Sequence, residues 1–342
     1  MKENIALFDS TEQEAAEFIR GLVQSTGVDW KALVCTSNQG RTNWMDNAKR
    51  YAKYFAFPFY IFLNRKKYHH IIGWQAFYGL VFAFYCKLFH TKKCNTLLVK
   101  NFIYKPKPGL IGKVYFTFMK YIVKSPYVDV FVCSSQSYCD RCAELFDEPK
   151  ERFAYVPFGI NDFTKVVAPK RENNGDYILA LGRSNRDWDF LISTLGNTEH
   201  KLSIVCDELK YDNLPKNITL LNNVWGKASY EMIRDCMCMV IPILDSEVVA
   251  GETVLLQAMS FSKPIIITTP SCLAEAYVED GKTGILVPKN KESLMEAITR
   301  LQADPTLYAY LAENSRAAYE EKYSLYSFGL RVGGLPVFQE SV

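Results

Sequence analysis

Residues 177–190 read YILALGRSNRDWDF, and residues 239–257 read MVIPILDSEVVAGETVLLQ. Each begins as an apolar run of strand length, passes through a turn carrying glycine, and then takes up helical periodicity. In an open parallel sheet ligands collect outside the carboxyl ends of the strands, so both turns belong to one binding edge. In the first turn Gly182 gives close backbone access, Arg183 and Arg186 supply fixed positive charge, and Ser184 or Asn185 can cap the helix that follows. Amides at a helix start favour an anion, so this combination suits a phosphate. In the second turn Gly251 again gives access and Thr253 offers a hydroxyl. Gln257, one turn into the helix, can hydrogen-bond a diol such as a ribose. The plainer alternatives are a solvated turn with two ordinary arginines and a partly exposed helix glutamine.

The same alternation extends outward in both directions. Leu202 to Val205, Ile218 to Leu221, Pro264 to Thr268 and Gly284 to Val287 read as further strands, and Leu307 to Lys322 as a last helix. In the N-terminal half, Asn4 to Phe8, Ala32 to Cys35, Tyr68 to Gly73, Thr96 to Lys100 and Val128 to Cys133 read as strands. Glu12 to Gln24 and Trp44 to Phe55 read as helices between them. The run NDFTKVVAPKRENNGD at 161–176 loses the apolar period and reads as a linker. A length of 342 residues exceeds one ordinary domain. The expected fold is therefore α/β, with two Rossmann-like domains facing each other across a cleft. The first spans 1–165 and the second 166–325, and a tail at 326–342 crosses back to the first.

Net charge is only +3, yet its distribution is uneven. The 82 residues between Asp46 and Asp129 hold 15 Lys or Arg and no acid, where average density predicts about nine acids. They also hold 22 of the 48 Phe, Tyr and Trp residues. Segments such as NRKKYHH (64–70), HTKK (90–93) and NFIYKPKPGLIGKVYFTFMKYIVK (101–124) interleave cations with rings. That composition places cations at lipid phosphates and rings at the interface, so an anionic membrane surface is the expected partner. No nucleic-acid motif accompanies it. The apolar run Ile71 to Phe89 reads as a strand and a helix, because Gln75, Gly79 and Lys87 interrupt any spanning segment. Ten scattered cysteines and no secretory signal at Met1 to Asp9 fit a reducing cytoplasm. Cys139 and Cys142 form a lone CxxC, and His69, His70, His90 and His200 lack matching spacing, so buried thiols are expected there and no metal site. No Asp-x-Asp suited to a nucleotide-bound divalent ion is found, so no required metal is expected and cation duty falls to Arg183 and Arg186.

The run Gly251 to Ile298, GETVLLQAMSFSKPIIITTPSCLAEAYVEDGKTGILVPKNKESLMEAI, resembles the nucleotide-sugar-binding region of family 4 glycosyltransferases with the GT-B fold. GRSNRDWDFLI resembles their first phosphate turn, NNVWGKASYEMIRDC their base-side loop and following helix, and FAYVPFGIND the end of their first domain. The resemblance implies transfer of a sugar from a UDP- or GDP-sugar, with retention at the anomeric carbon and no cofactor. The acceptor implied is a glycan or lipid-linked glycan, met by a peripheral enzyme at the inner membrane face during polysaccharide assembly. By position, Arg183 and Arg186 fall where the family places positive groups on the diphosphate. Gly251 to Val254 fall on the backbone that cradles it, and Val224 lies in the base-side loop. Gln257 falls on the second glutamate of the family's Glu-x7-Glu signature, whose first position here is Val249. In place of that missing carboxylate, Glu252 or Glu247 can bring an acid to the donor sugar, and Glu252, at the helix start, is favoured. The alternative is a catalytically silent nucleotide-sugar-binding partner subunit, or a membrane adaptor of a polysaccharide-assembly complex.

Overall fold

The computed structural model describes residues 2–36, 44–133, 135–168, 175–248 and 250–339. The chain forms two compact units, Met1–Val156 with Leu325–Val342, and Pro157–Ser324.

In the first unit, β1 (Glu3–Phe8), β2 (Trp30–Val34), β3 (Tyr68–Gly73), β4 (Thr96–Val99), β5 (Val130–Cys133) and β6 (Phe153–Tyr155) form one parallel sheet in the order β2-β1-β3-β4-β5-β6. The helices α1 (Glu12–Thr26), α2 (Trp44–Leu63), α3 (Ala76–Leu88), α4 (Gly109–Val123) and α5 (Gln136–Phe146) connect the strands. Side chains alternate across the sheet: Ile5 and Leu7 enter the core shared with α2 to α5, while Ala6 and Phe8 enter the core shared with α1. Two elements exceed the sequence reading. β6 is only three residues long, too short to show a period. α2 continues past Phe55 through Pro58, burying Ile61 and Phe62; a proline removes one N–H without ending an otherwise well-packed helix here.

The acid-free stretch contributes β3 and β4 to the sheet and the helices α2, α3 and α4, which pack on one another. Phe59 on α2 lies 5.0 Å from Tyr85 on α3, and Phe84 on α3 lies 5.3 Å from Phe118 on α4. Much of the aromatic surplus is therefore spent between helices. No helix among the described residues is long and apolar enough to cross a membrane; Ile71 to Phe89 is divided between β3 and α3. Cys139 and Cys142 are buried on α5 beside Cys133 in the same core.

In the second unit, β7 (Tyr177–Leu181), β8 (Lys201–Val205), β9 (Ile218–Leu221), β10 (Cys238–Ile241), β11 (Ile265–Thr269) and β12 (Ile285–Pro288) form a parallel sheet in the order β12-β11-β10-β7-β8-β9. Its helices are α6 (Trp188–Leu195), α7 (Lys227–Asp235), α8 (Glu252–Ser260), α9 (Cys272–Tyr277), α10 (Lys291–Ala303) and α11 (Pro305–Ala318). The chain runs outward from β7 to β9 and then returns to lay β10 against the other side of β7. This reversal sets the ends of β7 and β10 side by side at a topological switch point, the position where such sheets leave room for a ligand. Residues 157–166, read as the end of the first domain and the start of the linker, pack within the second unit. Asp162 there pairs with Arg316 of α11 at 2.8 Å, and the Ile160 N–H donates to Tyr323 O at 3.0 Å.

Beyond the second unit, α12 (Leu325–Gly333) and α13 (Pro336–Gln339) belong to the first. α12 lies directly on α1. A Cβ added at Gly329 would sit 2.3 Å from Phe18 O, and one at Gly21 would sit 2.2 Å from Tyr326 O, so glycine at both positions lets the two backbones meet.

His70, on β3, is buried between Trp30 and Phe338, with ring centroids 5.9 and 5.2 Å away, and its Nδ1 has no partner. Burial, reinforced by neighbouring His69 and only partly opposed by Asp129, lowers its pKa to about 4. In the unfolded chain a histidine titrates near 6.5, so below that value the unfolded state takes the proton first. Stability from this residue is complete above about pH 6.5 and is lost as pH falls toward about 4. Thermal melts at stepped pH are expected to show this acid-side decline in wild type and a shallower one in His70→Phe; equal slopes would disprove the assignment.

Candidate functional site

The turns after β7 and β10 are bonded into one structure. Asn185 adopts φ +58°, and its Nδ2 donates to Asp245 O and Val248 O, both at 2.9 Å, while its Oδ1 accepts the Asp245 N–H at 2.8 Å. The Asp187 N–H donates to Pro242 O at 2.9 Å. The cap of α6 is therefore neither Ser184 nor Asn185 but Asp187, whose Oδ1 accepts the Phe190 N–H at 3.0 Å. Its other oxygen pairs with Lys289 at 3.0 Å, and Lys289 also donates to Ile243 O at 3.2 Å. Asn185 and Lys289 thus hold the two loops in register.

Arg186 occupies the centre of this arrangement. It is 6% exposed, and its Nη1 donates to Ser184 O at 3.1 Å and Ala250 O at 3.3 Å, while its Nε is buried without a partner. Two glycines make room for it. Gly182 (φ +143°) and Gly251 (φ +108°) face the guanidinium, and Cβ atoms there would come within 3.0 Å of Nε and 2.3 Å of Nη2. Burial lowers the pKa of Arg186 to about 10, with no carboxylate contributing, so the group is a buried cation at neutral pH. Such a group is costly unless an anion joins it. The start of α8, just after Gly251, has no side-chain cap, so its first amides face the same switch point.

Of the other residues singled out from sequence, Arg183 and Thr253 are exposed, Val254 is half-buried, and Gln257 is 9% exposed, a buried amide and not a surface one. Val224, on the loop after β9, is half-buried against the core of the second unit. Glu252 is half-buried and its carboxylate accepts the Tyr277 hydroxyl at 2.6 Å. Glu247 is exposed, with its N–H bonded to Asp245 Oδ1. Val249 lies outside the described residues. The one Asp-x-Asp, Asp187 and Asp189, is committed elsewhere: Asp187 to its cap and Lys289, Asp189 to the Tyr211 hydroxyl at 2.5 Å. No three His, Cys, Asp or Glu side chains among the described residues converge to hold a metal ion. Sequence reading missed Tyr277 and Lys289, which reach the site from distant parts of the chain.

Residues 174–318 match the family described as glycosyl transferases group 1. Alpha-D-kanosaminyltransferase of Streptomyces kanamyceticus is 28% identical over 157 residues, an alignment covering 45% of this chain and 39% of that protein. The chain thus matches less than half the length of this relative. Among solved structures, Anabaena Alr3699/HepE in complex with UDP-glucose superposes with a TM-score of 0.65 at 14% identity, covering 97% of this chain and 98% of that one. Sucrose-phosphate synthase from Thermosynechococcus elongatus gives 0.65 at 15% identity, again over 97% and 98%. The chain has the GT-B fold, and residues 174–318, within its second unit, match the glycosyl transferases group 1.

Proposed function

We propose that this chain is a glycosyltransferase that moves a sugar from a UDP- or GDP-sugar to a glycan or lipid-linked acceptor. The observation that carries the reading is Arg186, a buried guanidinium with an unpartnered Nε and no acid beside it, set between two glycines at the switch point. A diphosphate supplies the missing counter-charge. When the bond from the sugar's anomeric carbon to phosphate oxygen breaks, its electron pair leaves with the diphosphate and positive charge develops on the sugar. Fixed donors already aimed at that phosphate lower the barrier, and Arg186, Arg183 and the first amides of α8 are those donors. In the retaining course that the family resemblance implies, the acceptor hydroxyl attacks from the face the diphosphate leaves, and its proton passes to the departing phosphate oxygen. Positive charge in this scheme comes from the arginines, and neither a metal ion nor a cofactor takes a step in it. The complex of HepE with UDP-glucose supports a sugar nucleotide as donor.

The acceptor side is read from the first unit. On α4 the outward residues Leu110, Ile111 and Val114 are 78%, 75% and 64% exposed, beside the exposed Lys105, Lys107 and Lys113. An outward helix face of a globular protein is ordinarily polar, and this one is apolar with a cationic rim and no acid from 47 to 128. It fits an anionic leaflet, and this supports a peripheral enzyme at the inner membrane face that extends a lipid-linked glycan in polysaccharide or glycolipid assembly.

Two experiments test these halves separately. In a thermal-shift screen of UDP, GDP and their sugars, a binder at one hundred times its dissociation constant adds about 2.7 kcal/mol. Arg186→Met is expected to abolish that shift while leaving the unliganded melting temperature equal or higher, because a buried unpaired charge is removed; a full shift in this variant refutes the diphosphate site. Gly251→Ala, which drives a Cβ into the guanidinium, is expected to weaken binding about tenfold or more. A donor that binds and is never turned over with any acceptor would instead favour the silent partner subunit. In vesicle flotation at low salt, wild type is expected to float with anionic and not with neutral liposomes, and Leu110→Ser with Ile111→Ser and Val114→Ser to lose most of that binding. Equal recovery with both liposomes, or none, counts against the membrane reading.

A further inference from the structure

Tyr277 ends α9 and is 3% exposed. Its hydroxyl oxygen accepts the Phe158 N–H at 3.0 Å and donates to Glu252 Oε1 at 2.6 Å. A phenol has a single proton to give. With a backbone amide on its oxygen, that proton is directed at Glu252. The ring itself is fixed: Tyr323 packs on it with centroids 5.2 Å apart. The backbone bearing the Phe158 amide is held at Ile160, whose N–H donates to Tyr323 O at 3.0 Å, and at Asp162 by Arg316. Glu252 is therefore located from rigid backbone through one aromatic side chain, and it stands at the first position of α8, directly after the glycine that faces Arg186.

We propose that Tyr277 is a positioning residue, which orients the Glu252 carboxylate as the acceptor for a hydroxyl of the donor sugar. This rests on the donor reading above. It explains how the chain manages with Val249 where the Glu-x7-Glu signature has its first carboxylate: the acid is supplied three residues later and needs a brace of its own.

The test uses the full chain and calorimetric titration with UDP-glucose against UDP, and GDP-mannose against GDP. With the nucleotide that binds, Glu252→Ala is expected to weaken the sugar nucleotide about tenfold or more while leaving the free diphosphate unchanged. Tyr277→Phe, which keeps the ring, is expected to do the same by about fivefold, and the double variant to be no weaker than Glu252→Ala alone. Wild-type affinity in Tyr277→Phe, beside a weakened Glu252→Ala, overturns the proposal and leaves the donor reading standing. Additive losses, or equal losses for diphosphate and sugar nucleotide, also overturn it, as they mark general damage. Wild-type affinity in Glu252→Ala removes the carboxylate from the sugar, and failure of wild type to bind either pair removes the donor reading itself.

Discussion

A guanidinium taken out of water without a counter-ion governs the second unit. Arg186 is protonated at neutral pH even with its pKa drawn down to about 10, and its partners inside the protein are backbone carbonyls. Carbonyl dipoles offset part of the desolvation and leave the net charge in place. Several otherwise separate features follow from seating that group. Gly182 and Gly251 take positive φ and leave out the Cβ atoms that would strike it, and Asn185 takes a left-handed conformation that turns the chain between them. The return of the chain to lay β10 beside β7 brings Ala250 to a residue 64 positions earlier. The arginine depends on strand order as well as on the local sequence around it.

This dependence separates what could be read from the sequence from what could not. Strands β7 to β12 stand out because parallel strands buried on both faces are continuous apolar runs, as in IIITT at 265–269. The three residues of β6 offer no such run. In α12 the two glycines of LYSFGLRVG weaken the helical signal, yet Gly329 is what lets that helix touch α1. Within GRSNRD the two arginines are equivalent on paper. In the fold Arg183 is exposed and Arg186 buried, a difference set by the left-handed Asn185 and its bonds to a loop sixty residues on. Tyr277 sits in a short helix among apolar neighbours, and its partners, Phe158 and Glu252, lie 119 and 25 positions away.

The first unit separates two features that coincide in sequence. The aromatic surplus has a packing cause: rings on α2, α3 and α4 interlock at centroid distances of 5.0 and 5.3 Å, and Lys87 lies 4.0 Å from the Tyr121 centroid. Packing does not require that acids be missing, since the outward positions of α2 and α4 could hold Glu or Asp without touching a core residue. An anionic surface does require it, because each exposed carboxylate would oppose the approach that the lysines favour.

The charge balance at the switch point follows the same logic on a smaller scale. Between Glu247 and Glu275 the chain carries a single acid, Glu252. Gln257 and Val249, the positions that the resemblance sets on the Glu-x7-Glu signature, are both neutral. On the proposed reading, a second buried carboxylate at the start of α8 would reduce the positive potential that Arg186 offers a diphosphate. The Glu252 carboxylate accepts the Tyr277 hydroxyl at 2.6 Å. In the proposed donor site Glu252 is the acceptor for a sugar hydroxyl and Arg186 the cation for phosphate, a division of labour that a direct ion pair between the two would destroy.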